Sequence, residues 1–260
     1  MSAPEYPDYV ARNVENWTES NAQYGDSRAE QSWAADEITW GVWGVRERDV
    51  QVLPDLTGID VVELGCGTGY ISAWLKKAGA AHVCGVDPTP AQLASARRCN
   101  EKFGLGIEFV EGVGESVPLP DASFDLAVSE YGASIWADPT KWIPEAARLL
   151  RPGGRLVFLR NSTVSLLCMA LEGQTESLQR PQRELGKITW EDTGETEFHP
   201  PAGELIDILA SAGFVLEGLV ELYAPEDAKT HEYYKYVTAE WAKQWPAEEI
   251  WRARLQPRSS

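Results

Sequence analysis

One stretch of ten residues, V-V-E-L-G-C-G-T-G-Y at positions 61–70, constrains the fold more than any other part of the chain. An apolar run ends there in three glycines at alternate positions: Gly65, Gly67 and Gly69. Glycine permits positive φ angles and lets another group approach the backbone closely. A strand followed by a glycine-rich turn and a helix N-terminus is typical of a nucleotide-binding corner in an α/β domain. The stretch therefore predicts an open sheet with a ligand at the carboxyl end of this strand.

From residue 58 onward, short β-branched runs alternate with segments of helical periodicity, which indicates βαβ units and a parallel sheet. Strands are predicted at 59–64, 82–87, 107–110, 124–129, 155–159, 214–222 and 249–255. Helices are predicted at 69–78, 90–103, 140–150 and from the Pro200-Pro201 pair to Ala212, with shorter helical segments at 163–170 and 238–245. The pattern predicts an α/β fold with a doubly wound, seven-stranded, mostly parallel sheet. The irregular stretch 161–200 is interpreted as an insertion.

Two acidic residues accompany the glycine turn. Glu63 lies two residues before Gly65, where a carboxylate would repel a pyrophosphate and favour a cationic group. Asp87 ends the next predicted strand, where a carboxylate can accept both hydroxyls of a ribose. The turn is G-C-G-T-G and not the G-x-G-x-x-G of dinucleotide-binding proteins. We expect a ligand with a ribose, a positive charge and no phosphates, and S-adenosylmethionine fits that description.

Composition and charge exclude several other functions. The net charge of −17 and the absence of a basic cluster argue against a nucleic-acid partner. The four cysteines have no metal-ligand spacing, so we expect reduced thiols and no metal. The chain shows neither a secretory signal nor an apolar run long enough to cross a membrane, so we expect a cytoplasmic protein with no membrane partner. Its oligomeric state is left open.

Four segments in order resemble the class I S-adenosylmethionine-dependent methyltransferases, and among them the small-molecule type 11 group that includes the ubiquinone and menaquinone biosynthesis enzymes. These segments are E-L-G-C-G-T-G, G-V-D-P-T-P-A-Q-L-A-S-A-R, V-P-L-P-D-A-S-F-D-L-A-V-S and L-L-R-P-G-G-R-L-V-F. The resemblance covers about residues 58–160 and extends weakly through A-S-A-G-F at 210–214. It implies a Rossmann-like fold, S-adenosyl-L-methionine as cofactor and methyl transfer to a small molecule.

The resemblance also implies roles for individual residues around the cofactor. Those expected to bind it are Glu63, Gly65, Cys66, Gly67, Asp87, Pro88, Gly114, Glu115 and Ser129. The first four would surround the methionine end, Asp87 would hold the ribose, and Pro88 would contact the adenine. Where the family often has an Asp for the adenine amine, this chain has Val113, so the Gly114 backbone and the Glu115 carboxylate are the substitutes.

Catalytic roles are predicted for His199, Glu130 and Tyr131. Methyl transfer from a sulfonium depends largely on positioning, and a base is needed only when the acceptor must lose a proton. His199, in E-F-H-P-P, lies in the segment that returns over the site in this family, and its ordinary pKa near 6.5 suits a base. A packing role for His199 is the alternative. Of the other histidines, His82 and His231 are expected to be a structural and a surface residue.

The substrate walls are expected from an N-terminal lid and from the segment after the fourth strand. Residues 1–57 are predicted to form this aromatic-rich helical lid, with breaks at Gly25 and at 39–44, and residues 58–260 the methyltransferase domain. The candidate aromatic side chains are Trp17, Tyr24, Trp33, Trp40, Trp43, Tyr131 and Trp136. They could surround an aromatic or apolar acceptor, or they could simply anchor the lid in the core.

Two alternative functions remain open on these residues. A non-catalytic or regulatory protein could retain the same cofactor site. A nicotinamide-dependent oxidoreductase would use a similar fold, although the turn spacing and Glu63 argue against it. The chain also has S-E-Y-G at 129–132 in place of the N-P-P-Y-like turn of nucleic-acid amine methyltransferases.

Overall fold

Three helices and a small hairpin form the N-terminal region in the computed structural model, which describes residues 6–170, 172–230 and 236–257. The elements are α1 (Asp8–Ser20), α2 (Asp26–Ala34), β1 (Thr39–Trp40), β2 (Val45–Arg46) and α3 (Glu47–Val50). A π-helical turn, Asn21–Gly25, joins α1 to α2. The predicted break at Gly25 is therefore wrong, because the helix widens there and continues. The predicted break at 39–44 is the β1–β2 hairpin.

Alternating strands and helices follow, as the periodicity predicts. The strands are β3 (Asp60–Leu64), β4 (His82–Asp87), β5 (Glu108–Glu111), β6 (Phe124–Glu130) and β7 (Leu150–Asn161). The helices are α4 (Tyr70–Lys77), α5 (Pro90–Phe103), α6 (Ala133–Trp136) and α7 (Pro139–Leu149). The Asp138 side chain caps α7 by accepting a hydrogen bond from the Thr140 amide, which satisfies one of the free N–H groups of the first turn.

The remaining part of the chain contains the insertion and the last two sheet strands. Its helices are α8 (Thr163–Cys168), α9 (Ala202–Ser211) and α10 (Ala239–Ala242). Its strands are β8 (Met169–Ala170), β9 (Gly173–Gln174), β10 (Gly186–Thr189), β11 (Thr196–His199), β12 (Phe214–Leu222) and β13 (Glu248–Leu255). A short 3-10 turn, Gln182–Glu184, precedes β10. The β10–β11 hairpin is the part of the insertion for which the sequence analysis predicted no regular structure.

The main sheet has seven strands in the order β12-β13-β7-β6-β3-β4-β5. Strands β3 to β7 pair in parallel, and β13 is antiparallel to both of its neighbours. The predicted doubly wound, mostly parallel sheet is confirmed. Because parallel strands share a direction, the carboxyl ends of β3, β4 and β6 lie along one edge, and this edge carries the site described below.

Both faces of the sheet are buried, as the apolar strands require. Successive residues of a strand point to opposite faces. Val61 accordingly belongs to the apolar cluster beneath the N-terminal helices, and Val62 to the cluster beneath α7 and α9. The same alternation places Ile250 and Trp251 of β13 in the two clusters. Among the described residues, none of the helices has the length and apolar character needed to cross a bilayer.

Candidate functional site

A cavity of about 270 Å³ lies at the carboxyl ends of β3, β4 and β6. The predicted residues that line it are Glu63, Gly65, Cys66, Gly67, Asp87, Pro88, Gly114, Glu115, Glu130 and Tyr131. Two predicted residues, Ser129 and His199, are not part of its lining. The Ser129 hydroxyl is fully buried, donates to the Leu64 carbonyl at 2.8 Å and accepts from the Ser134 amide at 3.1 Å. Its observed contacts therefore tie the turn after β6 to β3.

The glycine turn is held close to the backbone that follows β6. Gly65 has φ +79°, and a Cβ atom there would lie 2.4 Å from the Gly132 Cα atom. Gly67 has φ +53° and faces the cavity near Gln92. The Cys66 thiol between them is buried, and burial raises its pKa well above the ordinary value, so it is neutral. The backbone at Gly132 thus leaves no space for a side chain at Gly65. The cavity lies against the glycine turn from Gly65 to Thr68.

The Asp87 carboxylate lies at the carboxyl end of β4 and is 6% exposed. Its Oδ2 atom accepts a hydrogen bond from the Gly67 amide at 2.8 Å, and its Oδ1 atom accepts one from the Thr89 amide at 2.8 Å. Burial raises its pKa, and the bonds from these two amides act in the opposite direction. A carboxylate has about four acceptor positions. Asp87 therefore keeps acceptor capacity for hydroxyl groups in the cavity.

Two further carboxyl groups, those of Glu63 and Glu130, lie at the base of the cavity. Glu63 accepts a hydrogen bond from the Ser72 hydroxyl, and burial raises its pKa to about 8. Glu130 accepts one from the Tyr70 hydroxyl at 2.6 Å and one from the Gly41 amide at 3.2 Å, and burial raises its pKa as well. Of the described residues that line the cavity, none is Lys or Arg. The cavity therefore favours a cationic ligand over a phosphate.

Tyr131 connects this cavity to the last strand. Its backbone has φ +49°, an uncommon conformation for a residue with a bulky side chain. Its hydroxyl donates to Glu248 Oε1 at 2.7 Å, and the same oxygen accepts from the Val42 amide at 2.7 Å. Burial raises the pKa of Glu248 to about 7. Glu248, at the start of β13, is a site residue that the sequence analysis missed, since no motif surrounds it.

Helix α1 covers the opposite side of the cavity. Its residues Val10, Asn13, Val14 and Trp17 line the cavity, and the Tyr9 hydroxyl donates a hydrogen bond to Glu115. Glu115 also accepts from the Asp138 amide at 3.0 Å. Val113, Gly114 and Glu115 line the cavity together, and the adenine contact expected of Gly114 and Glu115 stays a prediction. The Glu115 carboxylate is thus shared between the cavity wall and the attachment of α1.

A second cavity, of about 310 Å³, adjoins the first. Trp17, Tyr131 and Trp136 line both. The rest of its lining comes mainly from α8 and its neighbours and from the β10–β11 hairpin: Asn161, Leu166, Met169, Ala170, Trp190, Asp192, Thr193, Glu195, Glu197 and Tyr236, with Val42 and Ile135. The insertion at 161–200 therefore supplies most of the second cavity.

The aromatic side chains named in the sequence analysis divide between core and cavity. Trp33 and Trp40 are fully buried in the core, so they anchor the N-terminal region. Trp17 and Trp136 meet edge to face across both cavities, with ring centroids 5.3 Å apart. Tyr24 is 42% exposed. Trp43 packs against a smaller apolar cluster that includes Trp241 and Ala242 of α10. Trp190, which the sequence analysis did not assign to the site, lines the second cavity.

His199 lies behind the second cavity and is fully buried. Its Nε2 atom lies 2.6 Å from Glu197 Oε2, and its Nδ1 atom has no hydrogen-bond partner among the described residues. Burial lowers its pKa, so the ring is neutral and donates through Nε2 to the Glu197 carboxylate. The alternation along β11 places Glu197 and His199 on one face, a signal that could have identified Glu197. His82 begins β4, 3.3 Å from Glu108, and His231 lies outside the described residues.

The first cavity fits S-adenosylmethionine on the chemistry of its donors and acceptors. Asp87 offers acceptor positions for ribose hydroxyls, and the carboxyl groups of Glu63 and Glu130, whose pKa values are raised by burial, would release their protons beside a sulfonium or an ammonium. The lack of a Lys or Arg in the described lining disfavours the pyrophosphate of a dinucleotide. The glycine turn leaves room for the ligand because no side chain projects from Gly67.

Comparison with known proteins supports the same conclusion. Residues 62–158 match the model of a methyltransferase domain. The demethylmenaquinone methyltransferase of Thermus thermophilus is 38% identical over 115 residues, which are 44% of this chain and 52% of that protein. An S-adenosylmethionine-dependent methyltransferase from Mesorhizobium loti superposes with a TM-score of 0.66 at 26% identity, covering 79% of this chain and 94% of that one.

The fold also extends beyond enzymes described as methyltransferases. The cyclase SpnF superposes with a TM-score of 0.64 at 19% identity over 99% of both chains, which shows a shared fold alone. The chain spans about half the length of the Thermus relative that it matches. The matched domain, the strand order and the relatives agree with one another: residues 62–158 match a methyltransferase domain, and the chain is similar to S-adenosylmethionine-dependent methyltransferases, a menaquinone enzyme among them.

Proposed function

We propose that the protein transfers a methyl group from S-adenosylmethionine to a small molecule with an aromatic or apolar body. The observation that carries the proposal is that two cavities share a wall formed by Trp17, Tyr131 and Trp136. The first has acceptors and carboxyl groups suited to the cofactor, and the second is lined by indole, phenol and aliphatic side chains on most sides and by acidic residues of the β10–β11 hairpin on one. Two substrates bound in adjoining cavities satisfy the positioning requirement of a displacement reaction.

The bound cofactor supplies a methyl group on a positively charged sulfur, so the leaving group is already activated. Asp87 fixes the nucleoside end through its remaining acceptor positions, and its bonds to the Gly67 and Thr89 amides hold the carboxylate in place. Glu63 and Glu130 favour the cationic end. Tyr131, fixed by Glu248, forms part of the wall between the two cavities.

An acceptor that must lose a proton would find a carboxylate in the second cavity. Glu197 lines that cavity and is held from behind by His199 at 2.6 Å. The role proposed for His199 is therefore to position Glu197, in place of the direct contact with substrate expected from the sequence. Glu197 can accept the proton of a phenol or thiol as the new bond to carbon forms, or the proton of an ammonium before the freed nitrogen lone pair attacks the methyl group.

Calorimetric titration with S-adenosylmethionine, S-adenosylhomocysteine and NADH tests the cofactor, and a labelled-methyl screen over phenols, thiols and amines tests the transfer. We expect heat from the first two compounds only, and label in at least one acceptor class. Heat from NADH alone would contradict the proposal. Cofactor binding without transfer across the screen would favour a non-catalytic, regulatory role.

A substitution that fills only the second cavity separates the two sites. Ala170 lines the second cavity but not the first, so Ala170→Trp should abolish transfer and leave cofactor affinity unchanged. Ala94→Trp, on the exposed side of α5, is the matched control and should retain both. Full transfer by the Ala170→Trp protein would remove the second cavity from the reaction.

A further inference from the structure

We propose that the second cavity selects acceptors that carry a positively charged nitrogen beside their apolar body. This inference rests on the proposed function, since it treats the second cavity as the acceptor site. It concerns recognition of the acceptor and leaves open which of its atoms is methylated.

Carboxylates are concentrated on one wall of this cavity. Asp192, Glu195 and Glu197 line it, all from the β10–β11 hairpin or its turn, and no Lys or Arg belongs to the described lining. Burial raises the pKa of Glu195, with the nearby acids Glu197 and Asp192 adding to that effect. A cation bound between these groups would relieve their mutual repulsion, and an anionic acceptor would increase it. The charge of the wall therefore favours a cation.

Three basic residues near this wall are bonded to groups other than its carboxylates, and one of them, Arg160, pairs with Glu249 at 3.6 Å. The Arg180 guanidinium lies over the Trp190 ring at 5.4 Å and donates to the Met169 carbonyl at 2.9 Å. The Arg12 guanidinium donates to the Thr193 carbonyl at 3.0 Å and pairs with Glu15. Within the described parts of the chain, the ion pair made by Glu197 is with His199, and neither Asp192 nor Glu195 has an ion pair with Lys or Arg. The carboxylates of the wall thus remain available to a cation in the cavity.

The other walls provide aromatic faces and edges. Trp17, Trp136 and Trp190 surround the cavity together with Tyr131. Indole is the side chain that attracts a cation most strongly through its ring face, and phenol does so as well. An ammonium group in a cavity with both carboxylates and indoles would be stabilised by both, whereas a neutral polar group would gain little from either.

Asn161 gives an independent indication of a polar ligand. This residue ends β7, is only 7% exposed and lines the second cavity. Its side-chain amide has no hydrogen-bond partner among the residues that the structure describes, although buried amides are normally bonded. Its carbonyl oxygen can accept a hydrogen bond from an N–H group of the acceptor. A purely apolar acceptor would leave this amide unsatisfied.

Three compounds with one common body test the inference: phenethylamine, phenethyl alcohol and hydrocinnamate, which end in an ammonium, a hydroxyl and a carboxylate. Calorimetry near neutral pH with saturating S-adenosylhomocysteine should give a dissociation constant at least tenfold lower for the amine than for the alcohol, with the carboxylate weakest. Ala170→Trp should abolish binding of the amine, which would place the probe in the second cavity.

Variants that remove the charge of single acidic residues test whether the acidic wall causes the preference for the amine. Glu195→Gln, Glu197→Gln and their double variant should reduce the preference for the amine progressively, and the double variant should keep only the part that Asp192 and the indole rings contribute. Glu101→Gln, at an exposed residue on α5 outside both cavities, is the matched control and should retain the full preference. Asp192→Asn, at an exposed position where folding is not in question, should also reduce the preference.

Several results would overturn the inference: no binding of the amine, equal or tighter binding of the alcohol or carboxylate, or a preference unchanged in the double variant. These results are distinct from failure of the proposed function. If S-adenosylhomocysteine does not bind, the proposed function fails, and the preference is measured without it. If it binds and the amine is not preferred, only the inference about the acceptor fails.

Discussion

The Asn13 side chain pairs with the backbone of Thr196, a residue 183 positions further along the chain. Its Nδ2 atom donates to the Thr196 carbonyl at 2.9 Å, and its Oδ1 atom accepts from the Thr196 amide at 2.9 Å. Both residues are buried. Since Asn13 lies on α1 and Thr196 begins β11, the pair joins the helix that covers the first cavity to the hairpin that lines the second. Helix α1 and the β10–β11 hairpin, which form walls of the two cavities, are thereby held together.

Asn13→Ala should destabilise the protein by about 2 kcal/mol, because it removes two hydrogen bonds and leaves buried backbone groups unpaired. It should also weaken cofactor binding, since α1 loses its attachment to β11. Urea unfolding and calorimetry measure the two effects. Asn16→Ala is the control: it removes the bond from the half-buried Asn16 amide to the Thr193 carbonyl at 3.0 Å and a bond to Glu195, leaves no fully buried backbone group unpaired, and should cost about 1 kcal/mol or less. Equal losses in both variants would argue against a special role for the Asn13 pair.

Gly65→Ala should abolish cofactor binding and strongly destabilise the fold. The new methyl group would lie 2.4 Å from the Gly132 Cα atom, so the turn or the segment after β6 must move. Gly104→Ala is a matched control, because Gly104 also has a positive φ, +65°, but a Cβ there meets nothing within 4 Å. The control should lose only about 1 kcal/mol, from backbone strain. Thermal unfolding and S-adenosylhomocysteine titration of both variants provide the comparison.

Asp87→Ala should weaken cofactor binding at least tenfold, or about 1.4 kcal/mol, because the acceptor for the ribose is lost. Part of the effect would come from the turn, since Asp87 also accepts from the Gly67 and Thr89 amides. Asp87→Asn keeps the shape of the side chain and one acceptor oxygen. Its cofactor affinity should lie between those of Asp87→Ala and the wild-type protein. Asp55→Ala, at an exposed loop position, is the control. An unchanged affinity in Asp87→Ala would remove this residue from the site.

The stability of the protein should fall with rising pH through the ionisation of Glu63. Its folded pKa, raised to about 8, exceeds the ordinary value of 4.5, so the native state retains a proton that the unfolded chain has released. The stabilising contribution of this group is full below the ordinary pKa and is lost as pH rises through about 8. Between these values the slope is at most about 1.4 kcal/mol per pH unit.

Glu63→Gln should flatten this part of the pH profile, because glutamine does not titrate. Urea unfolding at a series of pH values measures the slopes, and Glu101→Gln, at an exposed position on α5, is the control and should leave the profile unchanged. A wild-type profile in Glu63→Gln would mean that Glu63 is already ionised in the native protein at neutral pH.

His199→Ala should lower turnover and leave cofactor affinity unchanged, because His199 contacts Glu197 and lines neither cavity. His199→Gln, which can still donate to Glu197, should recover part of the turnover. For acceptors that lose a proton, the pH profile of turnover should shift in the Ala variant, since the Glu197 carboxylate loses its donor. Wild-type turnover and pH profile in His199→Ala would reduce His199 to a packing residue. Thermal unfolding of both variants separates an effect on Glu197 from loss of the fold.

The order of the residues alone was enough to predict the sheet, the glycine turn and the acidic residues at the strand ends. Alternation of β-branched and helical segments is a local property, and so is the position of Glu63 or Asp87 relative to the end of its own strand. Parallel strands bring their carboxyl ends to one edge, so local positions were sufficient to assemble Glu63, Asp87, Glu130 and Tyr131 around one cavity.

Only the tertiary structure decided which side chains face the second cavity. Ser129 is turned to the Leu64 carbonyl, His199 is buried behind Glu197, and Glu248 reaches Tyr131 from the last strand. These contacts join segments that are far apart in the sequence, as the contact between Asn13 and Thr196 does. They cannot be predicted from the spacing of neighbouring residues. The physical reason is that burial and hydrogen bonding between remote segments are settled only when the whole core packs.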